Sequence, residues 1–337
     1  MELAASVRTA ACAVVAAVTA TLVVSCSADA PGPEITVGAG NSAQSELIAE
    51  IYAGALARAG ARTVTEPRLG ERADYLSALD ADRVQLVGDQ SGDLLAAFDS
   101  GSPARLPDKV TTEAAKKEPG EKAAASAGTP VSADEDLPDV ADAVSRALPE
   151  GLAVSDIANG TDLRPALVFS RASAAPYPDS LPELAARCGE LAVGIATGSE
   201  LDPLRPSPDP HRDVLDPLRT VYGCDITRFT VYPSDTALRE ALRDGQVTAG
   251  VLTAPAALLP GGTGDLMPIA DPGYAFRARN VMPLFRKGAL TAQQIKKLNT
   301  VAGELTTDEF TVLIRRLRDD HTPAPELARG WLDDHDL

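Results

Sequence analysis

Aromatic side chains are scarce in this 337-residue chain, at 4%, with Trp331 the single tryptophan. A site built from several stacked rings has little to draw on. Histidine is scarcer still, with His211, His321 and His335 the whole supply. One lies in a proline-rich stretch and two lie near the C-terminus, so a Ser-His-Asp set would have to be assembled from unpromising loops. No GxSxG, no P-loop and no GxGxxG after a strand pattern occurs, and no enzyme is expected. The cysteines Cys12, Cys26, Cys188 and Cys224 form no CxxC pair and the histidines no HxxxH pair, so neither a metal site nor a cofactor is expected. Basic charge is in deficit, 31 Lys and Arg against 48 Asp and Glu, for a formal net charge of −17. Phosphate backbones are held by clustered Lys and Arg, and no basic stripe is present, which argues against nucleic acid as a partner. The acidic excess serves solubility.

Long apolar runs are also lacking. One uncharged and mostly apolar stretch, residues 9–22, is short of the roughly 20 residues that cross a bilayer but suits the core of a signal peptide behind Arg8. Val23-Val24-Ser25-Cys26 follows and resembles the bacterial lipobox, whose cysteine thiol takes a diacylglyceryl group. Residues 1–26 are therefore expected to be a lipoprotein signal peptide with Cys26 as the lipidated residue. Residues 27–34 are expected to be a tether, which places the protein in the cell envelope on the outer face of the cytoplasmic membrane. A plain signal peptide cut elsewhere and an N-terminal membrane helix are the alternatives. Export leaves Cys188 and Cys224 as a pair in an oxidising compartment, where a disulfide is expected; two buried free thiols are the alternative.

What is present is an alternation of short apolar runs and helical patterns. Residues 35–40 read as a buried strand ending in a turn. Residues 45–60 carry apolar positions 47, 48, 51, 55 and 56 at helical spacing, with Gly60 as a C-cap. Further strands are expected at 63–65, 84–88, 151–155, 166–170, 191–196, 228–232 and 248–252. Helices are expected at 74–81, 140–148, 181–187 and 236–243, and the tail from residue 291 reads as all helical. This order argues for an α/β protein with largely parallel sheets. Residues 101–136 hold no aromatic and almost no large aliphatic side chain between 113 and 130, and are read as a flexible insertion.

Several segments in order resemble the substrate-binding proteins of glycine betaine, choline and carnitine (osmoprotectant) ABC importers. The first runs from Val37-Gly38-Ala39-Gly40-Asn41-Ser42 through Ala49-Glu50-Ile51-Tyr52. Others are Leu69-Gly70, Gln85-Leu86-Val87-Gly88-Asp89-Gln90-Ser91-Gly92, Asp271-Pro272-Gly273-Tyr274 and Asn280-Val281-Met282-Pro283-Leu284. Ala328-Arg329-Gly330-Trp331-Leu332 closes the series. The resemblance covers roughly residues 35–337 and implies a two-lobed, type II periplasmic-binding-protein-like α/β fold, each lobe a mixed, mostly parallel sheet flanked by helices. Lobe 1 would comprise 35–150 plus 260–337 and lobe 2 would comprise 151–259.

The resemblance further implies a small polar or zwitterionic solute held between the lobes, and an ABC permease and ATPase as partners. It places Asn41, Ser42, Asp89, Gln90, Ser91, Arg205, Tyr232, Asp235 and Thr253 on that solute, with Arg212 competing with Arg205 for the family's Arg-Pro position. Where the family has two tyrosines this chain has Val87 and Gln90, which leaves Tyr232 and Tyr177 for an aromatic cage. Asp89 with Gln90 would better suit a solute carrying hydrogen-bond donors. An envelope lipoprotein that uses the same scaffold as a sensor or interaction protein is the alternative function, and an exported hydrolase a third.

Overall fold

The computed structural model describes residues 33–107 and 139–337. Cys26, the expected signal peptide and all but the last two residues of the tether lie outside the described residues, as does the expected insertion from residue 108 onward.

The chain runs β1 (Ile35–Gly38), α1 (Ala43–Arg58), β2 (Thr63–Glu66), α2 (Arg72–Asp80), β3 (Leu86–Gln90) and α3 (Ser91–Phe98). After the undescribed stretch come α4 (Val140–Ala147), β4 (Leu152–Val154) and β5 (Ala166–Ser170). Short helices α5 (Arg171–Ala174) and α6 (Leu181–Leu184) lead to β6 (Ala192–Ala196), α7 (Asp216–Tyr222), β7 (Arg228–Tyr232), α8 (Asp235–Arg243) and β8 (Ala249–Leu252). β9 (Leu266–Pro268), β10 (Val281–Arg286), α9 (Ala292–Glu304), α10 (Thr307–Arg318) and α11 (Ala324–Asp334) complete it.

Two five-stranded sheets result, in the orders β2-β1-β3-β10-β4 and β7-β6-β8-β5-β9. This is a two-lobed, periplasmic-binding-protein-like α/β architecture. The sheets repeat one pattern: a parallel trio joined by βαβ crossovers, then an antiparallel strand whose other neighbour is antiparallel to it as well. Parallel and antiparallel pairings are therefore equal in number, because β10 and β5 each run against both of their neighbours.

The lobe boundaries differ from those the resemblance implies. β4 pairs with β10 in the first sheet and β9 with β5 in the second, so the chain crosses between lobes near 155–165 and 269–280 rather than at 151 and 259. The reason is local. Both strands are three residues long, and their place is decided by the edge they find, not by a pattern of their own. The two crossing segments lie side by side: Ala158 bridges Val281, Leu163 N–H donates to Arg279 O at 2.9 Å, and Val281 N–H donates to Thr161 Oγ1 at 2.9 Å.

α1 is buried over most of its surface, which its apolar periodicity and Ala-rich sides require. Ser42 caps it by accepting from Ser45 N–H at 3.1 Å. Ile48 packs so closely on β3 that a Cβ at Gly88 would lie 2.3 Å from Ile48 Cγ2, so only glycine fits there. That close approach sets the N-terminus of α1 and the end of β3 beside one another at the mouth between the lobes.

Candidate functional site

The end of β3 carries Asp89 and Gln90, and the N-terminus of α1 carries Ser42, Gln44 and Ser45. These residues, with Arg72, line a small cavity of 310 Å3 including its open mouth. Its opposite wall is Asp202 and Leu204, from the irregular segment that follows β6. The cavity therefore lies between the lobes.

Gln90 is the centre of the arrangement. Its Nε2 donates to Gln44 Oε1 at 2.7 Å and to Asp202 Oδ2 at 2.8 Å, while its Oε1 accepts from Arg205 Nη2 at 3.1 Å. Arg205 also donates through Nη2 to Leu163 O at 3.1 Å and through Nη1 to Thr253 O. Thr253 is fixed in turn by Asp235, whose carboxylate accepts from Thr253 N–H at 2.7 Å and from Thr253 Oγ1 at 2.8 Å. The structure thus brings Gln90, Arg205, Asp235 and Thr253 into one connected chain. It also decides between the two arginines: Arg205 is 5% exposed and faces this network, whereas the Arg212 side chain is 74% exposed and pairs with Asp213.

The other implied residues have different settings. Asp89 lines the cavity, but Arg72 holds it through two hydrogen bonds, at 3.0 and 2.9 Å, and Tyr75 Oη donates to it at 2.6 Å. Ser91 ties β3 to the second crossing segment, with Asn280 N–H donating to its Oγ at 3.0 Å. Asn41 is exposed, its N–H donating to Gly70 O at 2.9 Å. Tyr232 lies over Gly194 on the sheet face covered by α8, away from the cavity. Tyr177 stacks on Phe169 at 4.8 Å inside the second lobe. Phe310 is the one aromatic among the cavity walls. Cys188 and Cys224 are joined by a disulfide, Cα–Cα 5.3 Å.

Four charged residues that sequence reasoning missed complete the site: Arg72, Asp93, Asp202 and Arg279. Asp93 stands among three arginines, with Arg279 Nε at 3.0 Å, Arg205 Nε at 3.7 Å and Arg72 Nη2 at 3.9 Å. No local motif marks any of them, since one aspartate among so many acidic residues carries no signal.

The sequence pattern described as the substrate binding domain of ABC-type glycine betaine transport systems matches residues 33–334. The chain belongs to this family. Two solved structures resemble this substrate-binding domain in fold: a glycine betaine/carnitine/choline ABC transporter protein and YehZ from Escherichia coli. The first has a TM-score of 0.63 at 15% identity, covering 90% of this chain and 98% of the other. For YehZ the TM-score is 0.63 at 15% identity, covering 90% of this chain and 99% of the other. No curated protein sequence matches the chain.

The charges give this substrate-binding domain a definite response to acid. Burial raises the carboxyl groups of Asp162, Asp202 and Asp235 above the usual aspartate value. Burial acts in the same direction on Asp93, but Arg279, Arg205 and Arg72 together hold it below that value. A raised carboxyl favours the fold in its protonated form, a contribution fully present below the unfolded value and lost as pH rises through the folded one. Asp93 contributes in the opposite sense, above the unfolded value of about 4, and its share is lost as pH falls through its folded value. The melting temperature is therefore expected to rise as pH is lowered from neutrality toward the ordinary aspartate value of about 4, and to fall below it. Asp202→Asn should flatten the rise. Melts across a pH series check this, and a steady decline from neutrality downward would refute it.

Proposed function

We propose that the protein is the extracytoplasmic, lipid-anchored solute-binding component of an ABC importer and captures a small polar solute by lobe closure. The observation that carries this reading is the convergence on Gln90, from the first lobe, of Asp202 and Arg205 from the second. Two hinged lobes that meet through polar side chains form the kind of cleft whose closure on a solute a membrane partner can read. A permease and an ATPase are the partners that such a component serves. The lipobox-like Val23-Val24-Ser25-Cys26 and the short polar segment after it support anchoring on the outer face of the cytoplasmic membrane.

The cavity walls favour a solute that donates hydrogen bonds, such as a primary amine or polyol, over a quaternary ammonium. Aromatic faces contribute about 0.5–2 kcal/mol each to holding a quaternary ammonium, and Phe310 alone is a poor cage. Native mass spectrometry of the mature protein should reveal a co-purified small molecule of that class. Calorimetric titration with choline and glycine betaine should show binding weaker than micromolar. Micromolar binding of either would overturn the solute class. If native mass spectrometry and a broad panel of amines and polyols yield no small molecule that binds, solute capture is overturned.

A further inference from the structure

We propose that the Leu201–Arg205 segment is a tethered occupant of the cleft: Asp202 and Arg205 hold the lobes together on the protein's own side chains, and a solute enters only by displacing them. The proposal rests on the solute-capture reading of this cleft, and it assigns two residues that govern entry.

Both N–H donors of the Gln90 amide and one lone pair of its oxygen are taken by the protein itself, with Gln44 and Asp202 on the nitrogen and Arg205 on the oxygen. The second lobe thus presents a carboxylate and a guanidinium to the first lobe, as a zwitterion would. The segment is shaped for the task. Asp202 Oδ1 accepts from Leu204 N–H at 3.1 Å, and Arg205 N–H donates to Asp202 O at 3.1 Å, which folds the segment into a tight turn. The first lobe grips the turn at both ends: Gln44 Nε2 donates to Leu201 O at 3.2 Å and Arg72 Nη1 to Leu204 O at 3.2 Å. Leu204 enters the first lobe far enough that a Cβ on Gly40 would lie 2.8 Å from its Cδ1. Asp202 is 3% exposed and Leu204 8%, so the insertion is buried and not a surface contact.

Charge and competition follow from this geometry. Arg72, Arg205 and Arg279 face Asp89, Asp93 and Asp202, so the opposite charges of the closed network are supplied by the protein's own side chains. An intramolecular partner acts at an effective concentration of order millimolar or above, which a free solute must outcompete. The apparent affinity is then lowered in proportion to the fraction of molecules whose cleft is free. The network is also one bond short of complete. Asp93 Oδ2 and Arg205 Nε are buried without a hydrogen-bond partner among the described residues, standing 3.7 Å from one another. A buried ion pair without a hydrogen bond between its members recovers less of its desolvation cost, so the latch is releasable rather than locked.

Small-angle scattering of the mature chain without added solute, paired with titration by glycine betaine, tests the proposal. The wild type is expected to scatter as the compact form, while Asp202→Ala and Asp202→Ala/Arg205→Ala show a larger radius of gyration with unchanged circular dichroism. Asp202→Ala should bind glycine betaine about tenfold or more tighter than wild type. Should the Asp202 variants fail to fold, Gln90→Ala removes the same contact from the first lobe and should expand the particle equally. Expansion with no tighter binding of glycine betaine or of an amine and polyol panel upholds the latch and counts against solute capture instead. Equal radii for wild type and the folded variants overturn the latch.

Discussion

Asp93→Ala is expected to lower the unfolding free energy by about 3–5 kcal/mol, the usual cost of removing one partner from a buried ion cluster. The size follows from what is left behind. Asp93 is 3% exposed on α3, and it is the common partner of Arg72, Arg205 and Arg279. Burial already draws Arg279 down to about 10 against the attraction of Asp93. Without the carboxylate, the largely buried Arg279 is left facing Arg205, a like charge, with Thr253 O at 3.4 Å to accept from its Nη1. Arg72 is less affected because Asp89 holds it through two hydrogen bonds. Urea denaturation followed by Trp331 fluorescence and circular dichroism measures the loss. Asp244→Ala, which breaks the exposed Arg243 pair, should stay within about 0.5 kcal/mol and serves as the control. A loss below about 1 kcal/mol for Asp93→Ala would mean that the arginines find water or other partners, contrary to the network described.

The same residues show where sequence reading stopped. α1 was legible from apolar positions at helical spacing, though its Ser42 cap was assigned to the solute instead, and the C-terminal helices were legible as an all-helical tail with Thr291 at its capped start. β1, β3, β6 and β8 were legible as short buried runs. β4 and β9 could not be assigned to a lobe, since three residues carry too little pattern to say which sheet edge they join. Gln90 and Arg205 were reached through their place in family-like segments. Their mutual hydrogen bond was not, because it depends on the fold of residues 197–209, whose irregular backbone has no periodicity to read. Asp93 and Asp202 lay hidden for a different reason. A buried aspartate is marked by its partners, and Arg279 and Gln90 are far from Asp93 and Asp202 in sequence.

Reduction of Cys188–Cys224, or the double substitution Cys188→Ala/Cys224→Ala, is expected to lower the unfolding free energy by about 4 kcal/mol on the chain-entropy estimate for a loop of this length. The bond closes a loop with a sequence separation of 36, within which the unfolded chain loses conformational freedom. Its position gives it more than a general effect. Cys188 lies in the 310 turn just before β6 and Cys224 in the loop just before β7, so the bond pins the entrances of two neighbouring parallel strands. Both sulfurs are buried in the second lobe's core beside Leu184, Leu191, Leu218 and Ile226, where solvent thiols reach them only after local opening. The loop it closes carries Asp202 and Arg205. Loosening its ends should therefore weaken the latch as well as the lobe, and the reduced protein should show an increased radius of gyration below its melting temperature. Denaturation curves in oxidising and reducing buffer test the first part and scattering the second. Coincident curves would show that the core alone holds β6 and β7 in register, and equal radii that the bond contributes nothing to the placement of Asp202 and Arg205.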